Sequence, residues 1–535
     1  MKQKFIIGID QSTQGTKAIL FDENGNLLHR TDRSHAQLVD ERGWVEHDPE
    51  EIYRNTLLVV EELLKKSGVD REAVACVGIS NQRETAMAWN RNTGKPVYNA
   101  IVWQCARGEE ICRRIAGSRL EVCPGTAGDA RERDDLSAAG DARERDDLSA
   151  AGAVRQKADL STAEDVRQRT GLKLSPYFSA AKLAWIMEHV EGAAGLAARG
   201  ELCCGTMDSY LVYRLTKGKE FRTDYSNASR TQLFNIRDLK WDETLCGIFG
   251  IPIACLPEVT DSDGYFGMTD FEGILPAEVP IHGVMGDSHG ALFGQGCLTR
   301  GMMKTTYGTG SSIMMNIGEQ PIFSDLGIVT SLAWKTGGRV QYVLEGNINY
   351  TGAVITWMKD QVGLLQNAAE SEELAETANP ADRTYLVPAF SGLGAPYWRS
   401  DVSAAFVGMT RTTGRAEMVK AGLCSIAYQI ADIVALMKEA AGIGEVELRV
   451  DGGPTKNSFL MQFQSDILDS RIKVPGVEEL SGLGAAYAAG LGAGIYDESL
   501  YGRLPSILYA PAMNPAERNE KLKGWKAAVE MVLKP

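Results

Sequence analysis

Residues 5–21 read FIIGIDQSTQGTKAILF, an apolar run ending in Asp10, a polar bend, and a second apolar run from Ala18. The bend holds Gln11, Ser12, Thr13, Gln14, Gly15 and Thr16, with Lys17 directly behind it. Small hydroxyl residues and a glycine in a tight turn aim backbone N–H groups and hydroxyls at one point, which suits a phosphate oxygen. A carboxylate at the end of the strand can hold Mg2+ through water. The same residue types are ordinary turn formers, so this bend alone does not decide. It is not a Walker loop, because no G-x-x-x-x-G-K-[ST] occurs in the chain.

A second copy of the device stands at residues 301–318, GMMKTTYGTGSSIMMNIG, with Thr309 and Gly310 at its bend. Two such hairpins, one near residue 13 and one near 309, can grip a triphosphate from both sides. A third element, RVDGGPTKNSFLMQ, sets Gly452 and Gly453 between a strand and a helix, where the backbone turns with positive φ or approaches something closely. Asn457 opens that helix, either as its N-cap or as a contact to what lies between the turns.

Acid–base chemistry has one candidate. In GVMGDSHGALFGQG, Asp287 emerges at the end of a strand, where it either accepts a proton from a substrate hydroxyl or caps a helix. Its neighbours are Ser288 and His289, and a histidine on a helix side is read as structural. In SNQRETAMAWN and NAIVWQ, Arg83, Glu84 and Trp103 follow short apolar strands. An arginine, a glutamate and an indole can hydrogen-bond the hydroxyls of a polyol and cover its C–H edge, although a surface ion pair would look the same.

The elements that must position these residues alternate. VACVGIS (74–80) has the pattern of a buried strand, and residues 50–67 carry apolar side chains at helical spacing up to a stop at Gly68. A long helix is expected over 415–441, closing at Gly442, then a strand into Gly452 and a helix from 456 to 468. The expected class is α/β, with a duplicated domain and a cleft between the copies: residues 1–297 and 298–535. The run GLGAAYAAGLGAG at 482–494 hints at a dinucleotide fingerprint, but Tyr487 occupies its sixth position, so a small-residue packing helix is the reading. Residues 127–138, AGDARERDDLSA, recur letter for letter at 139–150 and carry one leucine and six charges per copy, too little to build a core face.

With 535 residues and a net charge of −14 without a basic patch, the chain is a poor partner for nucleic acid or an acidic membrane surface. No continuous apolar run reaches the ~18 residues of a membrane span, and the start shows no cleavable leader, so a cytoplasmic protein is expected. Ten cysteines without C-x-x-C spacing are read as reduced packing residues.

Eight segments then match one family in order: NQRET, GKPVYNAIVWQ, PYFSAAKLAWI, TDYSNASRTQLFNI, GDSHGALFGQ, TYGTG, FSGLGAPYW, and VDGG with NSFLMQFQSDIL. The chain resembles the FGGY carbohydrate kinases, and within them the glycerol kinases, apart from an atypical insertion at about 116–160. The resemblance implies two ribonuclease-H-like, actin-type domains with ATP and substrate between them. It implies acceptor contacts from Arg83, Glu84, Trp103, Tyr177, Asp287 and Ser288, with Asp287 as base. It implies nucleotide contacts from Thr13, Gln14, Gly15, Lys17, Thr309, Gly310, Gly352, Gly453 and Asn457, Mg2+ at Asp10, and a homodimer or homotetramer.

Departures bear on the acceptor. Ser288 stands where glycerol kinases usually have glutamine, and Ser312 where a phenylalanine is common. Both changes enlarge and polarise the pocket, and the first turn leans toward pentulose kinases. Glycerol is the first expectation for the substrate, with erythritol, xylitol or xylulose as the alternative. A non-catalytic actin-like ATP-binding scaffold or sugar sensor is the rival of another class. The stretch MTDFEGILPAEVP lacks the loop through which some glycerol kinases bind a sugar bisphosphate, so that inhibition is not expected.

Overall fold

The computed structural model describes residues 3–117 and 162–534, and the twelve-residue repeat lies outside them. Two sheets share one plan. In the first, β1 (Phe5–Gln11), β2 (Gly15–Phe21) and β3 (Leu27–Ser34) pair antiparallel in sequence, while β4 (Val74–Asn81) and β5 (Val279–Gly286) add parallel on the far side of β1. In the second, β6 (Met302–Tyr307), β7 (Ser311–Gly318) and β8 (Arg339–Ile348) pair antiparallel, with β9 (Glu447–Asp451) and β10 (Ile472–Pro475) parallel beyond β6. Every residue of β1 is buried, as expected of a central strand covered on both faces. This is the two-domain actin-type architecture of the sequence reading, and the two polar bends occupy equivalent hairpins.

Local signals account for several element ends. Helix α1 (Pro49–Ser67) starts where Asp48 accepts the Glu50 N–H, and it stops at Gly68, φ 66°. After β5 comes α2 (Asp287–Gly294), and after β8 comes α3 (Gly352–Asp360). The crossover to β9 is α4 (Arg415–Ala441), closed by Gly442 at φ 62°. Among the described residues it is the one helix long and apolar enough to cross a membrane, yet 67% of its most apolar window is buried in the second domain. Between β9 and β10 lies α5 (Ser458–Leu468), capped by Asn457.

The last of these helices, α6 (Leu480–Gly492), carries the glycine run and packs on the first sheet. A Cβ at Gly78 of β4 would lie 2.2 Å from the Ala485 carbonyl oxygen, and one at Gly484 would lie 1.8 Å from that of Gly290 in α2. The glycines therefore permit close packing, and no βαβ dinucleotide fingerprint surrounds them. Helices α2 and α6 join the two sheets: Ile19, Phe21 and Met285 of the first share a core with Met314 and Trp334 of the second through Leu483 and Ala486. The nine cysteines among the described residues are all free and buried.

Candidate active site

The first bend closes on itself. Both the N–H and the hydroxyl of Ser12 donate to the Gly15 carbonyl, at 2.9 and 3.0 Å. The Ser12 hydroxyl is thus committed inside the turn and does not join a set of outward donors. A Cβ at Gly15 would meet the Arg33 carbonyl oxygen at 2.5 Å, so the position requires glycine. Gln14 is exposed, and the Thr13 hydroxyl accepts the Trp103 indole N–H at 2.9 Å. Asp10 is buried, its Oδ1 has no hydrogen-bond partner, and burial raises its pKa to about 6 despite Lys17. The Lys17 ammonium lies 3.6 Å from Asp10 and 2.7 Å from Glu479, which also binds Arg30.

The second bend is built into the start of α3. Thr351 N–H donates to the Thr309 carbonyl and Gly352 N–H to that of Gly308, each at 2.9 Å. Thr309 is exposed and Gly310 half-buried. Gly452 has φ 100°, and a Cβ there would meet the Tyr307 carbonyl oxygen at 2.0 Å, so it meets both demands, whereas Gly453 meets neither: its φ is not positive and a Cβ there would meet nothing within 4 Å. Gly352, Gly453 and Asn457 line one cavity of about 480 Å³ together with Ile355, Ala369 and Leu423. Asn457 serves as N-cap, accepting the Leu460 N–H at 2.8 Å, and its amide donates to Ser371 at 3.2 Å. Capping and lining the cavity coexist in one side chain.

Asp287 is the first residue of α2, with Gly286 in the cap position, so it is no N-cap. Its carboxylate accepts the Ser288 N–H at 2.6 Å, lies 3.3 Å from Arg83 Nε, and remains 35% exposed. Desolvation raises its pKa above the ordinary value of 3.8, against the pull of Arg83. Arg83 and Glu84 follow β4 and are buried, which removes the surface ion-pair reading. Trp103 and Tyr177 pack edge to face with ring centres 5.5 Å apart. His289 is fully buried, 3.5 Å from the Ser331 hydroxyl, and burial holds it well below an ordinary imidazole, in agreement with a structural role. The Ser312 hydroxyl is buried without a partner, on a β7 residue flanked by Thr306 and Asn347.

Several charged residues of this region escape local sequence reasoning. Glu345, fully buried on β8, binds both Arg83 and Arg230, which hold it well below the usual carboxylate range although burial alone would raise it. Arg230 donates to Glu84 at 2.7 Å. Lys304 of β6 is also buried, which lowers its pKa, and it donates to the Thr306 hydroxyl at 2.6 Å. A charge inside an otherwise apolar strand, as in YVLEG or GMMKTT, is the signal that would have drawn attention to them.

Comparison with known proteins bears on the fold and the family. The N-terminal domain of the FGGY family of carbohydrate kinases matches residues 5–121 and 141–294, and the C-terminal domain of that family matches 303–493. The unmatched residues 122–140 contain the first twelve-residue copy. Glycerol kinase 1 of Thermotoga maritima is 44% identical over 532 residues, covering 99% of each chain. The glycerol kinase of Francisella philomiragia is 42% identical over 535 residues, again covering 99% of each. Among solved structures, Plasmodium falciparum glycerol kinase with ADP superimposes with a TM-score of 0.86 at 34% identity, covering 100% of this chain and 99% of that one. Two matched domains, whole-length relatives and a shared two-sheet fold place this chain in the FGGY family of carbohydrate kinases.

Proposed function

We propose that the protein transfers the γ-phosphoryl group of ATP to a primary hydroxyl of glycerol, giving glycerol 3-phosphate. The relatives' names and the ADP-bound neighbour support this reading. The observation that carries it is the position of Asp287, a half-buried carboxylate of raised pKa beside Arg83 and in electrostatic reach of Asp10 in the first hairpin and Lys304 in the second. Residues 1–297 then hold the acceptor, through Arg83, Glu84, Trp103, Tyr177, Asp287 and Ser288. Nucleotide is held by Thr13, Gln14, Gly15 and Lys17 on one side and by Thr309, Gly310, Gly352, Gly453 and Asn457 on the other. In this scheme Asp287 accepts the proton of the attacking hydroxyl, and Lys17 with the backbone N–H groups of the two bends offsets charge on the phosphates.

The residues fit a magnesium ion. Asp10 presents a buried carboxylate oxygen without a partner, and no cluster of three or more His, Cys, Asp or Glu ligands exists among the described residues. One carboxylate plus water and phosphate oxygens is the usual way Mg2+ is held. When bound, the ion supplies charge neutralisation to the phosphates, and Asp10 would hold it.

A second reading within the family has a longer polyol or a pentulose as acceptor. The unpartnered Ser312 hydroxyl and the short Ser288 favour it, because both are smaller than the side chains common at these positions in glycerol kinases, and the Ser312 hydroxyl has no partner within the protein. We take the working protein to be a cytoplasmic homodimer or homotetramer, and light scattering in solution tests the assembly. The deciding experiment is ATP consumption across glycerol, erythritol, xylitol, xylulose and ribulose, with Asp287→Asn as control. Turnover with glycerol that Asp287→Asn abolishes supports the proposal; preference for a four- or five-carbon acceptor selects the second reading; silence with every acceptor leaves an ATP-binding scaffold.

A further inference from the structure

Four buried charges lie beneath the acceptor side of the cleft, and one of them comes from the other domain. Arg83 and Glu84 follow β4, Arg230 precedes β5, and Glu345 belongs to β8 of the second sheet. The Glu345 carboxylate accepts from both terminal nitrogens of Arg83, at 3.1 and 3.2 Å, and lies 2.8 Å from Arg230 Nη1. Arg230 in turn donates its Nε–H to Glu84. Two cations and two anions thus neutralise one another out of contact with water, and removing any single one leaves an uncompensated charge.

This cluster sets which part of Arg83 meets Asp287. With both terminal nitrogens committed to Glu345, the atom nearest Asp287 is Nε at 3.3 Å, and that N–H is buried without a hydrogen-bond partner. A guanidinium free to turn beside a carboxylate adopts the bidentate fork, which would occupy both oxygens of Asp287. We infer that Glu345 is a positioning residue for phosphoryl transfer: it holds the fork of Arg83 away from Asp287 and leaves Nε, 3.3 Å from Asp287 and 3.7 Å from Glu84, as the part of the guanidinium beside the base.

The strand that carries Glu345 also reaches the nucleotide side. Ile348 at its end pairs with Ser311 behind the second bend, and Thr351 and Gly352 just beyond it bind that bend through their N–H groups. One strand therefore fixes the arginine of the acceptor side and the turn of the nucleotide side in a single register, so Glu345 ties acceptor geometry to the second domain.

The inference rests on the proposed kinase reading, with Arg83 facing the acceptor. The test is steady-state kinetics of the full chain with glycerol and ATP. Glu345→Gln is expected to lower kcat/KM for the acceptor on the order of 10²-fold, while KM for ATP stays within about twofold of wild type. Glu345→Gln with Arg230→Met loses one charge of each sign, which removes the unpaired-ion penalty on folding, and it is expected to show the same acceptor defect. Wild-type acceptor kcat/KM in either variant, or parallel rises in both KM values, would overturn the inference. A wild-type protein that consumes no ATP with any acceptor is the distinct result that removes the kinase reading, and Glu345's role with it.

Discussion

Trp103 donates its indole N–H to the hydroxyl of Thr13 at 2.9 Å, so the aromatic wall formed with Tyr177 is tied to the first polar bend. Neither residue is near the other in sequence, and the bond spans what we propose are the acceptor and phosphate sides of one cleft. Trp103→Phe keeps a smaller aromatic face and removes this donor. A neutral hydrogen bond contributes roughly 0.5–1.5 kcal/mol, so KM for acceptor and for ATP should each rise by about tenfold or less, together. Steady-state kinetics with both substrates varied checks this, and a change in one KM alone would separate the two sides.

Asp287→Asn should keep nucleotide affinity and lose about 10²- to 10⁴-fold in kcat. Isothermal titration with ADP and a coupled turnover assay measure the two quantities. The pH dependence has a definite sign. Asp287 works as the ionised base, and burial raises its pKa above 3.8. Activity from this group is therefore complete above the folded pKa and falls as pH drops through it. The groups that face it are Arg83 and Glu84 behind β4, Lys304 of β6 and Asp10 of β1. An acid limb of kcat/KM lying above the range of a free aspartate is expected, and Asp287→Asn should flatten it.

Gly484→Ala places a methyl group 1.8 Å from the backbone oxygen of Gly290, where α2 and α6 cross. Backbone cannot yield as a flexible side chain would, so the cost should reach or exceed the roughly 1–3 kcal/mol of ordinary overpacking. Because α2 begins with Asp287, kcat should fall as well. Gly68→Ala is the contrast: its φ is 66° but the added Cβ would meet no packed neighbour within 4 Å, and only backbone strain of about 1 kcal/mol applies. Thermal unfolding of both variants, with kcat measured below the transition, tests the ordering.

Ser312→Phe fills the position whose hydroxyl has no partner. It should preserve turnover of glycerol and reduce kcat/KM for a four- or five-carbon acceptor by roughly 10- to 200-fold, the range set by one extra group in a fitted pocket. Equal loss on all acceptors would mean that the side chain lies outside the acceptor's reach.

Much of the frame is legible in the chain itself. The stop of α1 at Gly68, the buried strand at 74–81, the long helix closed by Gly442 and the N-cap at Asn457 each follow from contacts within a few residues. The two hairpin bends are legible for the same reason, since turn chemistry is local. Reading stops where side chains have more than one use for their polar atoms. Ser12 looks like an outward donor and instead closes its own turn, while Lys17 meets Glu479, 462 residues away.

The alternation of strand and helix, the paired bends and the emergence of Asp287 at a strand end were set by periodicity and turn residues alone. Only the tertiary structure decided that Arg83 is buried and that Glu345, 262 positions later, is its partner. The physical reason is desolvation. A charge in an apolar strand is intolerable until another element brings the opposite charge, and that element is chosen by the packing of two sheets through α2 and α6.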